Sequence, residues 1–229
     1  MPTRLAEIEQ SIGYVFRQSA LLKLALTHRS YAGQHNERLE FLGDGLLNCV
    51  VAHLLYQHFA DQPEGTLSRL RATLVCQDSL HDIAVRLDIG TFLLLGEGEI
   101  KSGGRQRPSI LADALESIFG AIFLDSGFDS CHQTITRLFQ PIIAGIDPVH
   151  AGKDAKTLLQ EYLQGRRLPL PDYQLASTSG QAHAQVFHVD CVIPALAIKS
   201  HGTGNSRRAA EQAAARMAWQ QIQQEVRHP

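Results

Sequence analysis

Two short acidic patterns stand where a helical core would be expected. The segment 110–124 (ILADALESIFGAIFL) offers Asp113, Glu116 and Ser117 as its only polar side chains. A helix apolar on nearly every side is a buried one. Asp113 and Glu116, three residues apart, share one face of it. The second pattern is NERLEFLGD at 36–44, which sets Glu37, Glu40 and Asp44 at i, i+3 and i+7 among Leu39, Phe41, Leu42 and Leu46. At about 100° per residue these three acids fall within an arc of roughly 60°.

A carboxylate in an apolar setting must be protonated, paired with Arg or Lys, or bound to a cation. A solvated or arginine-paired face is one reading of each pattern. The other is a cation site, and it is favoured for 110–124, where little of the helix looks solvated. Asp and Glu oxygens without His or Cys form the hard ligand set of magnesium, manganese or calcium. Such a site activates water, polarises a phosphoryl oxygen and clamps the attacking and leaving oxygens, the chemistry of phosphodiester hydrolysis. A di-iron carboxylate site would instead require ExxH pairs, and neither pattern has His at i+3.

Near the C-terminus, Gly202-Thr203-Gly204-Asn205-Ser206-Arg207-Arg208 opens an alanine-rich helix. Two arginines in a first helical turn oppose the positive end of the dipole, and a phosphate placed there reverses the sign of that interaction. The alternative is a solvated basic turn. Trp219 reads as core or rim, and His28, His35, His53, His58 and His81 show no ligand spacing.

The elements that must position these residues fall into two groups. Apolar residues recur at spacings of three and four from Leu5 to about Phe139, which predicts a mostly α first domain. Pro141 to Lys153, with Pro141, Gly145, Pro148 and Gly152, reads as a linker. A helix over 155–164 follows, then period-two strands at 173–177, 184–193 and 195–199, and a helix over 206–226. The 229 residues, 44% hydrophobic and 19% charged, suit an ordinary globular protein of one or two domains. Residues 1–150 hold 12 Lys and Arg against 17 Asp and Glu, whereas 151–229 hold 9 against 6, so a basic segment follows an acidic body. No apolar run reaches membrane-span length and no secretory signal is visible, so a cytoplasmic location without membrane attachment is expected. Cys49, Cys76, Cys131 and Cys191 form no CxxC pair and read as reduced, buried thiols.

Taken together, these motifs resemble bacterial ribonuclease III. Residues 36–44 look like that family's signature, supported by Thr27-His28-Arg29-Ser30-Tyr31, Glu64-Gly65 before Leu67-Ser68-Arg69-Leu70-Arg71, Leu95-Gly96 through Ser102-Gly103-Gly104, and 110–116. The C-terminal α-β-β-β-α order, with Gly202-x-Gly204-x-Ser206-Arg207-Arg208 and Ala209-Ala210-Glu211-Gln212-Ala213, resembles the double-stranded-RNA-binding domain. The fold implied is an all-α nuclease domain (5–128), a last helix and linker (129–153), and a small α+β RNA-binding domain (154–224).

The resemblance implies a homodimeric, magnesium-dependent endonuclease, with Mn2+ able to substitute and no organic cofactor. It would cut double-stranded RNA to 5′-phosphate and 3′-hydroxyl ends with short 3′ overhangs, in the processing of ribosomal, messenger and transfer RNA precursors. By position, Glu40, Asp113 and Glu116 would hold the metal, and Asp44 with Glu116 would serve the water and proton transfers. Glu37 and Glu64 would line the catalytic valley, and Phe41 would insert into the partner subunit. Lys156, Thr157, Gln160, Glu161 and His183 would meet minor grooves, with Arg207 and Arg208 on phosphates, a mode that reads A-form shape more than sequence. One departure is Glu211, which stands at the third basic position of the KKxxK pattern and implies fewer phosphate contacts. A non-catalytic RNA-binding regulator is the alternative, disfavoured because every expected metal-ligand position is present.

Overall fold

Side chains spaced for one helical face dominate the first two thirds of the chain, and period-two alternation appears only near the end; the architecture follows that division. The computed structural model describes residues 4–148, 153–180 and 185–227. It divides into two compact units, Met1–Gly152 and Lys153–Pro229.

The described part of the first unit is helical: α1 (Arg4–Ile12), α2 (Ser19–Ala25), α3 (Glu37–His58), α4 (Glu64–Leu74), α5 (Gln77–Arg86), the short α6 (Ile89–Phe92) and α7 (Glu97–Lys101), α8 (Pro108–Ser126) and α9 (Phe128–Ala144). Its axis is the pairing of α3 with α8, the most extensive contact between helices. Both are core helices. Leu47, Val50, Val51 and Leu55 of α3 and Leu115, Ile118, Phe119 and Ile122 of α8 are essentially inaccessible to solvent. By length and composition α3 could also cross a membrane; Leu47, Val50, Val51 and Leu55 are apolar residues that it gives to the core.

Helix α9 runs through Pro141, where the sequence reading placed the start of the linker. Pro141 removes one helical N–H, yet Phe139 and Ile143 on either side are buried and Leu138, Ile142 and Ile146 pack on the same core. That burial outweighs one missing hydrogen bond.

The second unit consists of α10 (Ala155–Gly165), an antiparallel sheet in the order β1 (Asp172–Ser179), β2 (Val186–Ile193), β3 (Ile198–Gly204), and α11 (Arg207–Arg227). Asp154 caps α10, its carboxylate accepting from the Thr157 N–H at 2.8 Å. The third strand begins later than its expected range of 195–199. Pro194–Leu196 form a 3-10 turn and Ala197 takes a left-handed φ of 53° before Ile198, Ser200 and Gly202 alternate inward. Ala184, the expected start of the second strand, and His183 lie outside the described residues.

The alanine-rich face of α11 is a packing device. Ala210, Ala214, Ala215 and Ala218 are fully buried, and a Cβ at Gly202 would fall 2.1 Å from the Ala214 amide nitrogen. Helix and strand therefore approach until Ser200 Oγ donates to the Ala214 carbonyl at 2.7 Å. Trp219 sits at the rim, edge-on to Tyr162 with ring centroids 5.3 Å apart. Cys131 and Cys191 are buried as expected, but Cys49 and Cys76 are exposed, since their positions lie on outward helical or capping faces.

Candidate active site

The acids of α3 and α8 meet because two glycines let the helices touch. A Cβ at Gly43 would lie 1.8 Å from the Glu116 carbonyl oxygen, and one at Gly120 would lie 2.3 Å from that of Leu39. Only hydrogen fits at either place. The start of α3 is pinned by Asn36, 3% exposed, whose N–H donates to the Thr27 carbonyl at 2.9 Å and whose carbonyl accepts from Ser117 Oγ of α8 at 3.3 Å. Register between the helices is thus set at both the backbone and the side-chain level.

Within that crossing, one carboxylate oxygen each from Glu40, Asp113 and Glu116 lies within 4.8 Å of the others. Among the described residues, no arginine or lysine is paired with any of the three. Burial raises the proton affinity of Glu40, with Asp113, Glu37 and Asp44 adding to it. Burial also raises that of Asp113, against the opposing pull of His28 and Arg29. Glu116 is pushed furthest, to about 8, by burial and then by Asp44, Glu40 and Asp113. The protein holds these groups where each is uncomfortable as an anion, and only protons or a cation relieve them.

The other acids of the set differ in placement. Asp44 is exposed, one turn beyond Glu40, and accepts from Asn48 Nδ2 at 2.8 Å. Glu37 lies on the rim, 3.3 Å from Arg29. Glu64, at the start of α4, accepts from Ser68 Oγ at 2.6 Å and lines no part of the cleft above the cluster. Phe41 is 83% exposed, beside an apolar hollow that includes Leu24, Leu42 and Leu124.

The cleft has a volume of about 580 Å³ and is lined by Glu37, Glu40 and Asp113 together with His28, Arg29, Ser30, Glu99, Arg107 and Ser109. Its cationic wall was not foreseen from the acidic patterns. It is built by a parallel bridge between Thr27 and Leu94 and by the Gly96 N–H donating to Ser30 Oγ at 2.9 Å. Arg107 pairs with Glu99 at 2.5 Å, and Arg105 Nη1 donates to the carbonyls of Gly90, Thr91 and Leu93 at 2.8, 3.0 and 3.2 Å. The segments Thr27–Tyr31, Leu95–Gly96 and Ser102–Gly104 are thus one structural assembly that sets the cleft wall.

In the second unit, Thr157, Gln160 and Glu161 share an exposed face of α10, and Arg207 and Arg208 are exposed at the start of α11. Ser206 Oγ accepts from the Ala209 N–H at 3.2 Å, capping that helix. Glu161 pairs with Lys153 at 2.6 Å. Lys156 is held inward, its Nζ 2.6 Å from Glu211 and 4.3 Å from the centre of the Tyr173 ring.

Residues 18–142 match a protein family described as ribonuclease-III-like, and the chain is 59% identical over 218 residues to Ribonuclease 3 of Thiobacillus denitrificans, covering 95% of this chain and 96% of that one. The chain belongs to the ribonuclease III family. Ribonuclease 3 of Aromatoleum aromaticum is 57% identical over 222 residues, covering 97% and 99% of the two chains. Residues 155–222 match the double-stranded RNA binding motif. Among solved structures, the nuclease domain of ribonuclease III from Campylobacter jejuni superposes with a TM-score of 0.61 at 44% identity, over 64% of this chain and all of that one. Another structure of the Campylobacter domain, 45% identical with a TM-score of 0.59 over 60% of this chain and 97% of that one, is described by its flexibility in a region involved in dimer formation.

For a ribonuclease III chain, the residues that sequence reasoning passed over are the glycines and the cleft-wall cations. Gly43 lies inside the signature and carried a visible signal, a glycine in mid-helix, where it costs about 1 kcal/mol against alanine unless close packing demands it. Gly120 carried the same signal. The pairing of Glu211 with Lys156 had none, because 55 residues separate them.

Proposed function

We propose that the protein is an endoribonuclease that cleaves double-stranded RNA by metal-dependent phosphodiester hydrolysis, leaving 5′-phosphate and 3′-hydroxyl ends. One observation carries the reading: three carboxylates from two helices, without an ionic partner among the described residues, converge within 4.8 Å in a chain that also contains a double-stranded RNA binding motif. The donor set is all oxygen, and all three acids bind protons more tightly than usual, a pattern that suits a hard divalent cation. Magnesium is the proposed ion, with manganese able to substitute, and Glu40, Asp113 and Glu116 are its proposed ligands. When bound, it supplies Lewis acidity to the phosphoryl oxygen and lowers the pKa of water.

The remaining roles belong to the chain's own side chains. Asp44, exposed beside half-buried Glu116, connects that carboxyl to solvent, and the two together take up and return the protons of hydrolysis. Glu37 and Glu64 are assigned to the rim of the valley that receives the duplex. Phe41, a phenyl ring on the surface, is assigned to insertion into a second copy, making the active form a homodimer. In the RNA-binding domain, Lys156, Thr157, Gln160, Glu161 and His183 are assigned to minor grooves and Arg207 and Arg208 to phosphates across the major groove. The proposed boundaries are 5–128 for the nuclease domain, 129–153 for the last helix and linker, and 154–224 for the RNA-binding domain. Processing of ribosomal, messenger and transfer RNA precursors in the cytoplasm is the proposed setting.

The test is cleavage of a long perfect RNA duplex by the wild type and by Glu116→Gln, with magnesium and with chelator. Magnesium-dependent cutting to 5′-phosphate ends is expected. Glu116→Gln should lose about 10³-fold in rate, within the range for acid-base groups, while duplex binding survives. Duplex binding without cutting by the wild type would instead make the chain an RNA-binding regulator, and equal cutting by both proteins would remove Glu116 from the chemistry.

A further inference from the structure

The RNA-facing side of the second unit carries an acid among its bases. Glu211 stands one helical turn after Arg207 on α11 and accepts from Arg207 Nε at 3.0 Å through one oxygen and from Lys156 Nζ at 2.6 Å through the other. Its side chain is only 15% exposed, beneath the two cations. Lys156 is further restrained by the Tyr173 ring, and its backbone N–H donates to Gln212 Oε1 at 3.3 Å. The two cations hold the Glu211 carboxyl well below the usual carboxylate range, so it is an anion at any physiological pH. This cluster of two bases and one acid therefore presents a net charge of one to a phosphate.

We propose that Glu211 is an affinity-determining residue: an internal carboxylate that occupies Lys156 and Arg207 in place of an RNA phosphate and so weakens the grip of this domain on the duplex backbone. The proposal rests on the reading that the second unit binds double-stranded RNA. Counterion release gives it a number, because each phosphate neutralised by a protein cation contributes about 0.9 to the slope of log affinity against log salt. Glu211 cancels one such contribution. The carboxylate acts by its charge, whereas a mere brace for α10 and α11 would act by its hydrogen bonds, and the two roles respond oppositely to substitution.

The experiment uses the full chain, a long RNA duplex and chelator to prevent cutting, with binding measured between about 0.05 and 0.3 M salt. Glu211→Gln is expected to steepen the slope by about 0.9 and tighten binding roughly fivefold at about 0.15 M salt. Glu211→Lys, which puts a third base in the cluster, should steepen it by about 1.8. Glu211→Asp keeps the charge and should stay close to the wild type in both respects. Thermal unfolding of each variant is followed alongside, and binding is compared below the lowest midpoint. Unchanged or weaker binding by both Glu211→Gln and Glu211→Lys, or equal behaviour of Glu211→Asp and Glu211→Gln, overturns the proposal. A wild-type protein that fails to bind duplex at all overturns the functional reading instead, so the two failures are separable.

Discussion

The carboxylates clustered where α3 crosses α8 and those of the second unit live under opposite electrostatics. In the nuclease unit, Glu40, Asp113 and Glu116 are all pushed toward the protonated form, by burial first and by one another after it. In the RNA-binding unit, Asp154, Asp190 and Glu211 are all held below their usual range. Burial of Asp154 is outweighed by the Thr157 N–H and hydroxyl; Asp190 is held chiefly by His201 and Lys199, and Glu211 chiefly by Lys156. Among the described residues, the first unit leaves Glu40, Asp113 and Glu116 without an ionic partner, and these three carry a standing demand for an external cation. The second has met its own demands, which leaves fewer free charges to offer RNA.

The contrast breaks most visibly if the acids are forced apart. Gly43→Leu places a side chain where the Glu116 carbonyl stands and is expected to cost about 3 kcal/mol or more in folding free energy, the upper range for overpacking. Denaturant melts will show it, and near-wild-type stability would mean the α3–α8 crossing is looser than drawn. Asp125 supplies an internal control within the same unit. It is buried, but the Tyr14 hydroxyl at 2.6 Å and the Arg17 and Gln18 N–H groups at 2.9 Å hold its carboxyl below the usual range. Asp125→Ala should cost about 2 to 3 kcal/mol by stranding those donors, with no effect on divalent-ion binding by the folded protein. A loss of ion affinity in that variant would link the N-terminal segment to the site.

On the other side of the contrast, Arg207→Ala with Arg208→Ala should flatten the salt slope of duplex binding by up to about 1.8 while leaving divalent-ion binding intact. An unchanged slope would remove both from the phosphate contacts. A further effect concerns pH. Glu116 titrates near 4.5 when unfolded and at about 8 in the fold, so its proton stabilises the metal-free protein fully below 4.5 and that contribution disappears as pH rises to about 8. The unfolding midpoint of the metal-free protein should therefore fall across that window, and Glu116→Gln should flatten the fall. A midpoint that rises from pH 5 to pH 8 in the absence of metal would contradict the assignment of burial as the dominant influence on Glu116.

Much of this was legible in the residues. The period of the apolar positions marked the helices of the first unit and the sheet of the second, and the acids at 37, 40 and 44 and at 113 and 116 were visible as stripes on apolar helices. Less legible were features in which a local rule was outweighed. Pro141 is a poor helical residue by propensity, but Ile143 behind it is buried and the helix continues. Ala195–Leu196 alternate like a strand, yet Pro194 and the left-handed Ala197 turn the chain there. The histidines showed no spacing, and still His53 Nδ1 and His132 Nε2 meet at 3.2 Å across α3 and α9.

The sequence by itself determined which residue types are available and which face of each element they occupy, because helical and strand periods are local properties of the backbone. It thereby determined that acids lie on buried helices and that bases open the last one. Only the tertiary structure decided that the two acidic stripes share one cleft, that Arg29 and Arg107 stand across from them, and that Glu211 lies under Lys156. Those are distances between residues far apart in the chain, fixed by how closely two backbones pack. At Gly43 and Gly120 that closeness comes down to the absence of a single Cβ on each helix.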